Sequence, residues 1–116
     1  MPVIKLDLEC DGRPIIAIID TGSELNIVSK RICDTKIRRP VDLQQTMAIA
    51  DANGGKGKLL GMVADVPLTC GSVTTLANLY VGSHVPYDLI LGRPWQRDYQ
   101  VSINEKKDGT YVSFQD

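Results

Sequence analysis

The chain has 116 residues, of which 13 are Lys or Arg and 14 are Asp or Glu, so its formal net charge is −1. This length fits a single domain over residues 1–116. Because no basic block or stripe is present, we do not expect nucleic acid or an anionic membrane as a partner. No apolar run approaches the roughly eighteen residues that span a bilayer, and the N-terminus lacks the pattern of a signal peptide. We therefore expect an intracellular, cytoplasmic protein.

Cysteine and histidine, which supply most zinc ligands in proteins, are few and scattered. Cys10, Cys33 and Cys70 are far apart and form no Cys-x-x-Cys pair, and His84 is the single histidine. A zinc site would have almost no ligands to draw on. We expect no metal and no cofactor, three reduced thiols, and a surface position for His84.

The first segments predict a β-hairpin. The segment from Met1 to Cys10 alternates well, with Ile4, Leu6, Leu8 and Cys10 on one face, which is typical of a half-buried strand. Asp11-Gly12 is a strong hairpin signal, so the chain should return antiparallel through Pro14 to Ile19. The five consecutive apolar residues from Ile15 to Ile19 indicate a strand that is buried on both faces.

This second strand runs straight into Asp20-Thr21-Gly22-Ser23, a carboxylate on a tight polar turn. Burying a carboxylate at the end of a hydrophobic strand is costly unless donors satisfy it. Gly22 permits a backbone turn that other residues resist, and the hydroxyls of Thr21 and Ser23 lie within local reach. The pattern suits a catalytic carboxylate. The alternative is an ordinary strand end capped by an Asx-turn.

The middle of the chain predicts a short helix and a second hairpin. Leu25 to Val28 is a short apolar segment, and Ser29 is a candidate N-cap for one or two helical turns. Strand-like composition returns at Leu43 to Ala50. Glycines then gather in Asp51 to Gly57, around an Asn-Gly pair that favours a hairpin turn between strands. A phosphate-binding loop is disfavoured, because no Gly-Lys-Ser/Thr ending follows.

The last part of the chain predicts strands on both sides of one helix. Cys70-Gly71-Ser72 separates two strand-like segments as a hairpin turn. Asp88 to Leu91 indicates a further buried strand that ends at Gly92. Pro94 suits the first turn of a helix, and a C-terminal hairpin should follow it.

Two of these segments together resemble the retroviral and retrotransposon aspartic proteases, the retropepsins. They are the apolar strand before Asp20-Thr21-Gly22-Ser23 and, about seventy residues later, Ile90-Leu91-Gly92 ahead of the predicted helix. The resemblance covers about residues 5–100. It implies an all-β fold, a closed small β-barrel with a flap hairpin and one short C-terminal helix, in a homodimer.

The domain boundaries follow from this resemblance. The flap is expected at about 46–62, the C-terminal helix at about 93–99 and the C-terminal hairpin at about 100–115. This last hairpin departs from the shortest viral enzymes, whose chains end with one strand soon after the helix. It looks more like retrotransposon and cellular relatives.

The resemblance implies that Asp20 is the catalytic carboxylate of an aspartic endopeptidase, which uses two carboxylates that share a proton. Only one Asp-Thr-Gly is present. The second carboxylate would therefore come from another copy of the chain, across a two-fold axis. Asp51 and Asp88 are alternatives within one chain, but neither follows an apolar strand and precedes Thr-Gly.

The same resemblance assigns supporting roles around Asp20. Thr21 would hydrogen-bond across the dimer, Gly22 would bind the substrate backbone, and Ser23 would bond the outer carboxylate oxygen. Gly92 would pack close behind the turn, and an ion pair between Glu24 and Arg93 would support it.

Substrate contacts are expected from the flap and from apolar pockets. The flap residues that would close over an extended peptide are Ala52, Asn53, Gly54 and Gly55. The pocket candidates, for which a place in the core is the alternative, are Ile49, Leu59, Val85 and Leu91.

Leu-Asn-Ile-Val-Ser after the turn and Ile-Leu-Gly-Arg-Pro-Trp before the helix are similar to proteases of long-terminal-repeat retrotransposons. This likeness implies a segment of a polyprotein that releases itself and its neighbours. A cellular retropepsin-like domain is the alternative within the class. Two other hypotheses are a catalytically silent retropepsin-like domain for dimerisation or peptide binding, and a small β-domain whose motif matches are accidental.

Overall fold

The computed structural model describes residues 4–45, 47–50 and 56–114. Strands dominate these ranges, and two α-helical segments interrupt them. The strands are β1 (Ile4–Cys10), β2 (Arg13–Ile19), β3 (Ile27–Ser29), β4 (Met47–Ala50), β5 (Lys56–Cys70), β6 (Val73–Gly82), β7 (Leu89–Leu91), β8 (Ser102–Lys106) and β9 (Gly109–Ser113). The helical segments are α1 (Lys30–Ile32), a π-helical continuation (Cys33–Ile37), a 3-10 turn (Leu43–Gln45) and α2 (Arg93–Asp98).

Six strands close into a small barrel. Hydrogen bonding follows the order β1-β2-β7-β3-β6-β5, and β4 extends the sheet beyond β5. Pairing of Glu9 in β1 with Thr69 in β5 closes the ring. Apolar side chains such as Leu8, Val28 and Leu79 fill the interior. The predicted all-β closed barrel is confirmed.

The first hairpin has the predicted connection but not the predicted burial. β1 and β2 pair antiparallel, and the turn residues Asp11 and Gly12 have φ of 52° and 82°, as a type I′ turn requires. The expectation that the second strand is buried on both faces is wrong, because Ile16 is 49% exposed. Ile15 and Ala17 point into the core. Since β2 belongs to a single-layered barrel wall, only one of its faces meets the interior.

Short strands in the barrel wall bring distant segments together. β7 pairs parallel with β2, with Leu91 opposite Ile19, and antiparallel with β3, with Ile90 opposite Ile27. The predicted cap at Ser29 is confirmed, since its hydroxyl accepts a hydrogen bond from the Ile32 amide at 3.1 Å. The parallel pairing of β7 with β2 sets the ends of these two strands side by side, at the position of Asp20.

β4 and β5 form the base of the second predicted hairpin. Their register runs from Met47 opposite Leu59 to Ala50 opposite Lys56. The tip with the predicted flap residues Ala52, Asn53, Gly54 and Gly55 lies outside the described residues.

Helix α2 connects the barrel to the C-terminal hairpin through aromatic packing. Trp95 is 1% exposed. Its indole nitrogen donates to the Thr75 hydroxyl at 2.9 Å, and its ring meets Phe114 edge-on with centroids 5.7 Å apart. β8 and β9 form a separate two-stranded sheet whose residues are mostly exposed. No helix in the described part of the chain is long and apolar enough to cross a membrane.

Candidate active site

Asp20 lies where two parallel strands end together. It follows β2 directly, and its backbone amide donates to the carbonyl of Leu91, the last residue of β7, at 3.1 Å. The apolar residues before it continue into the barrel core, whereas Asp20 itself is half-buried at the rim. The fold therefore holds the backbone of this residue rigidly and leaves its side chain accessible.

The polar turn after Asp20 is stabilised by its own backbone. The Gly22 amide donates to Asp20 Oδ1 at 2.9 Å, and the Ser23 amide donates to the Asp20 carbonyl at 3.3 Å. The first bond closes an Asx-turn, which was the alternative to a catalytic carboxylate at this strand end. An Asx-turn and an accessible carboxylate are thus compatible, because one oxygen closes the turn while the second remains for other chemistry.

The two hydroxyls of the turn have different surroundings. Ser23 Oγ donates to the Leu25 carbonyl at 2.7 Å. A hydroxyl has one proton, so Ser23 cannot donate to the outer carboxylate oxygen of Asp20 at the same time. Thr21 is exposed, and its hydroxyl has no hydrogen-bond partner among the described residues. A partner for Thr21 would have to come from outside this part of the chain.

Gly92 packs against the far side of the turn so closely that a side chain would not fit. A Cβ atom there would lie 2.3 Å from the Leu25 carbonyl oxygen and 2.6 Å from that of Ser23. Its neighbour Arg93 donates its amide to the Ser23 carbonyl at 2.8 Å. The start of α2 is therefore docked directly onto the turn.

The predicted ion pair between Glu24 and Arg93 is present, with 3.6 Å between the nearest nitrogen and oxygen. Arg97, one helical turn later, also approaches Glu24 at 3.9 Å. The three side chains are between 52% and 69% exposed. Exposed pairs of this kind contribute about 0–1 kcal/mol, so the ion pair orients the surface of the turn more than it stabilises the fold.

Asn26 contributes to the site although sequence reasoning gave it no role. It is 5% exposed, and its Oδ1 accepts the Gly92 amide at 2.9 Å. Its Nδ2 donates to the Asn78 carbonyl at 3.3 Å. The available signal was an asparagine inside an apolar segment, because a buried amide requires hydrogen-bond partners.

Gln96, in the second turn of α2, is another residue that sequence reasoning missed. Its side-chain nitrogen donates to the carbonyls of Asp20 and Leu91, each at 3.1 Å. No local pattern could have indicated this role, since the glutamine follows Asp20 by 76 residues.

Tyr87 stands near the carboxylate. Burial raises the pKa of its phenol, and the negative charge of Asp20 raises that pKa further. Sequence reasoning gave Tyr87 no role. The phenol remains protonated at any pH at which a carboxylate dyad would operate.

Asp88 is not positioned to act as the second carboxylate. It precedes β7, whereas Asp20 lies beside the end of that strand. Its carboxylate is bound to Arg31 at 2.8 Å. Asp51 lies outside the described residues. Among the described residues, no group of three His, Cys, Asp or Glu side chains could hold a metal ion.

The predicted pocket residues divide between core and surface. Leu59 and Leu91 are 1% and 0% exposed, so both occupy the core, which was the alternative given for them. Val85 is half-buried and lines a cavity of about 570 Å³ together with Tyr87 and Asp88. Asp20 is not among the residues of that cavity. The side chain of Ile49 is not described.

Comparison of this fold with solved structures reveals a full-length match. The retroviral protease-like domain of Ddi1 from Leishmania major superposes with a TM-score of 0.79, covering 100% of this chain and 96% of that one at 20% sequence identity. The chain thus has the retropepsin-like fold. No family model matches the sequence.

Similar sequences are found in three fungal proteins named DNA damage-inducible protein 1. The protein of Candida glabrata is 28% identical over 115 residues, covering 91% of this chain. Those of Yarrowia lipolytica and Neurospora crassa are 28% identical over 102 and 111 residues, covering 88% and 95% of this chain. The chain spans about a quarter of the length of these relatives (24–25%).

Proposed function

We propose that this chain, with its retropepsin-like fold, is an aspartic endopeptidase that acts as a homodimer on extended peptide segments. The observation that carries the proposal is the setting of Asp20. Its backbone is fixed at the barrel rim by Leu91 and Gln96, one carboxylate oxygen closes the turn, and the side chain is accessible. This is the combination that a catalytic carboxylate needs.

The proposed chemistry requires two such carboxylates. One Asp20, ionised, removes a proton from water as the water oxygen attacks the peptide carbonyl carbon. The protonated Asp20 of a second copy donates its proton to the carbonyl oxygen, so that a neutral tetrahedral diol forms. The diol collapses when one hydroxyl returns its proton to a carboxylate and the amine nitrogen takes up a proton from the other. The C–N bond breaks and both carboxylates regain their starting states.

Three observations support a homodimer as the active form. Of the candidate carboxylates that the structure describes, Asp20 is the suitable one, because Asp88 is bound to Arg31 at the other end of β7. The exposed Thr21 hydroxyl lacks a partner among the described residues, as expected if its partner belongs to another copy. The β8–β9 sheet has only two strands and is mostly exposed, and isolated two-stranded sheets are marginally stable in water.

The proposed substrate is a peptide in extended conformation. Such a peptide pairs its backbone with strand-like elements and places alternate side chains in pockets. The β4–β5 hairpin, whose tip carries the predicted flap residues, is the proposed cover. Lids of this kind exclude water and release product when they open.

The proposed biological setting is intracellular, and two alternatives are open there. In the first, the domain releases itself and its neighbours from a retrotransposon-type polyprotein. In the second, it is a cellular retropepsin-like domain, which the similarity to DNA damage-inducible protein 1 favours. Both settings use the same site.

A fluorogenic peptide pool tests the proposal across pH 3 to 7. Wild type and Asp20→Asn are compared, and the mass of each is measured by light scattering at the assay concentration. We expect acid-favoured cleavage by the wild-type dimer and loss of at least a hundredfold in the variant. Equal signals from both proteins, or no cleavage by a proven dimer, would favour a silent binding domain. The statine-type inhibitors of aspartic proteases should block the cleavage.

A further inference from the structure

The side-chain amide of Gln96 makes two hydrogen bonds underneath the proposed catalytic turn. Nε2 donates to the carbonyl oxygens of Asp20 and Leu91, at 3.1 Å each. Only the NH₂ end of a carboxamide can serve two carbonyl acceptors, so these partners fix the orientation of the group. We propose that Gln96 is a positioning residue, which sets the Asp20–Thr21 peptide plane and through it the direction of the Asp20 carboxylate.

Neither carbonyl depends on Gln96 for a partner. The Leu91 carbonyl already accepts the Asp20 amide at 3.1 Å, and the Asp20 carbonyl already accepts the Ser23 amide at 3.3 Å. Removing the glutamine would therefore leave no buried carbonyl unsatisfied, and folding would lose little. Each carbonyl would instead lose one of its two hydrogen bonds. Two hydrogen bonds fix the orientation of a carbonyl group, whereas one leaves it free to rotate.

The helix is well placed to transmit this constraint. The backbone amide of Gln96 donates to the Gly92 carbonyl at 3.2 Å, and the backbone carbonyl of Gln96 accepts the Val101 amide at 2.9 Å. Next to it, Trp95 is buried and anchored to Thr75. Because both backbone groups of Gln96 are hydrogen-bonded, the backbone from which its side chain extends is held in place.

This inference rests on the proposed function for its kinetic consequence, although not for its geometry. Displacement of a reacting group by about 1 Å can cost about a hundredfold in rate. Loss of the two bonds should lower kcat and leave KM nearly unchanged, because the glutamine lies beneath the turn and not on its substrate side.

The test compares Gln96→Met, Gln96→Glu and Gln100→Glu in peptide cleavage. Methionine keeps the length of the side chain and removes its donors. Glutamate keeps the shape but turns two acceptors toward two carbonyl oxygens. Gln100→Glu makes the same chemical change at an exposed position just beyond α2. We expect kcat to fall roughly tenfold for methionine and more for glutamate, with KM within twofold and the control unchanged.

A second measurement separates this inference from the proposed function. Amide hydrogen exchange is followed at Gly22 and Ser23, whose amides close the turn, and at the β5–β6 pairs as reference. We expect faster exchange at the turn in Gln96→Met and no change in the reference. If wild type shows no Asp20-dependent cleavage but the turn exchanges faster in the variant, the function is wrong and the positioning role stands. If the turn is unchanged, or if kcat falls only in proportion to the folded dimer fraction, the positioning role is overturned.

Discussion

The side chain of Asn26 is hydrogen-bonded to the backbone of Gly92 at 2.9 Å, across 66 residues of sequence. This contact joins the segment after the Asp20 turn to the start of α2. Because Asn26 also donates to Asn78 in β6 at 3.3 Å, a single buried amide connects three parts of the barrel wall.

Replacing Asn26 with alanine should destabilise the fold. The Gly92 amide would lose its acceptor in a buried place, and leaving a buried donor unsatisfied costs about 1–3 kcal/mol. Urea unfolding measures the change, and Asn104→Ala, on the exposed face of β8, is the matched control. Equal unfolding free energies for the two variants would show that the buried contact contributes nothing.

A methyl group at Gly92 should be far more disruptive than one at Gly82. Both added Cβ atoms would be too close to a neighbour, but at Gly92 the neighbours are backbone oxygens at 2.3 and 2.6 Å, whereas at Gly82 the nearest is a Val85 methyl at 2.7 Å. A valine side chain can turn away, and the turn backbone cannot. We expect a loss of about 3 kcal/mol for Gly92→Ala and about 1 kcal/mol for Gly82→Ala by urea unfolding. The reverse order would contradict this account of the turn.

The Glu24–Arg93 ion pair should contribute little to stability. Its side chains are 69% and 52% exposed, and screening by water and salt weakens such pairs. A double-mutant cycle with Glu24→Gln and Arg93→Gln should give a coupling of about 0.5 kcal/mol at low salt, vanishing near 1 M NaCl. The cycle is repeated with Arg97→Gln, since Arg97 also approaches Glu24. A coupling above 2 kcal/mol in high salt would require a buried pair.

The phenol of Tyr87 should report the charge of Asp20. Its pKa is raised by burial first and by the Asp20 carboxylate second, so Asp20→Asn should lower this pKa while burial keeps it above the ordinary value of about 10. Alkaline titration of tyrosine absorbance measures the shift, with Tyr87→Phe to assign the signal and Asp98→Asn as the charge control. An identical titration in Asp20→Asn would place the phenol beyond the influence of the carboxylate.

The same pKa has a consequence for stability. In the unfolded chain Tyr87 ionises at a lower pH than in the folded protein. Unfolding therefore releases a proton at pH values between the unfolded and the folded pKa. Its contribution to the free energy of unfolding is therefore complete below about pH 10 and is lost as the pH rises further. Tyr87→Phe should flatten this alkaline decline.

Features carried by neighbouring residues were predictable from the sequence. The alternation in β1, the Asp11-Gly12 turn, the Ser29 cap and the polar turn after β2 all depend on residues close together in the chain. The exposure of Ile16 was not predictable in this way, because an apolar run alone does not tell how many layers will cover a strand.

The residues that hold the proposed catalytic turn depend on contacts between distant segments. Asn26 and Gln96 bond to partners 66 and 76 residues away. Spacing along the chain carries no signal for such contacts. A polar residue in an apolar segment does indicate a buried hydrogen bond, but it leaves the partner unnamed.

Docking of α2 onto the turn also orders the events of synthesis. Leu91 and Gln96, which bond to the backbone of Asp20, follow it in the chain by about seventy residues or more. Contacts between segments so far apart form only after the intervening chain has been closed into a loop. A ribosome-bound chain that stops before α2 therefore carries the carboxylate on an unfixed turn. The proposed activity therefore requires synthesis of the chain through α2.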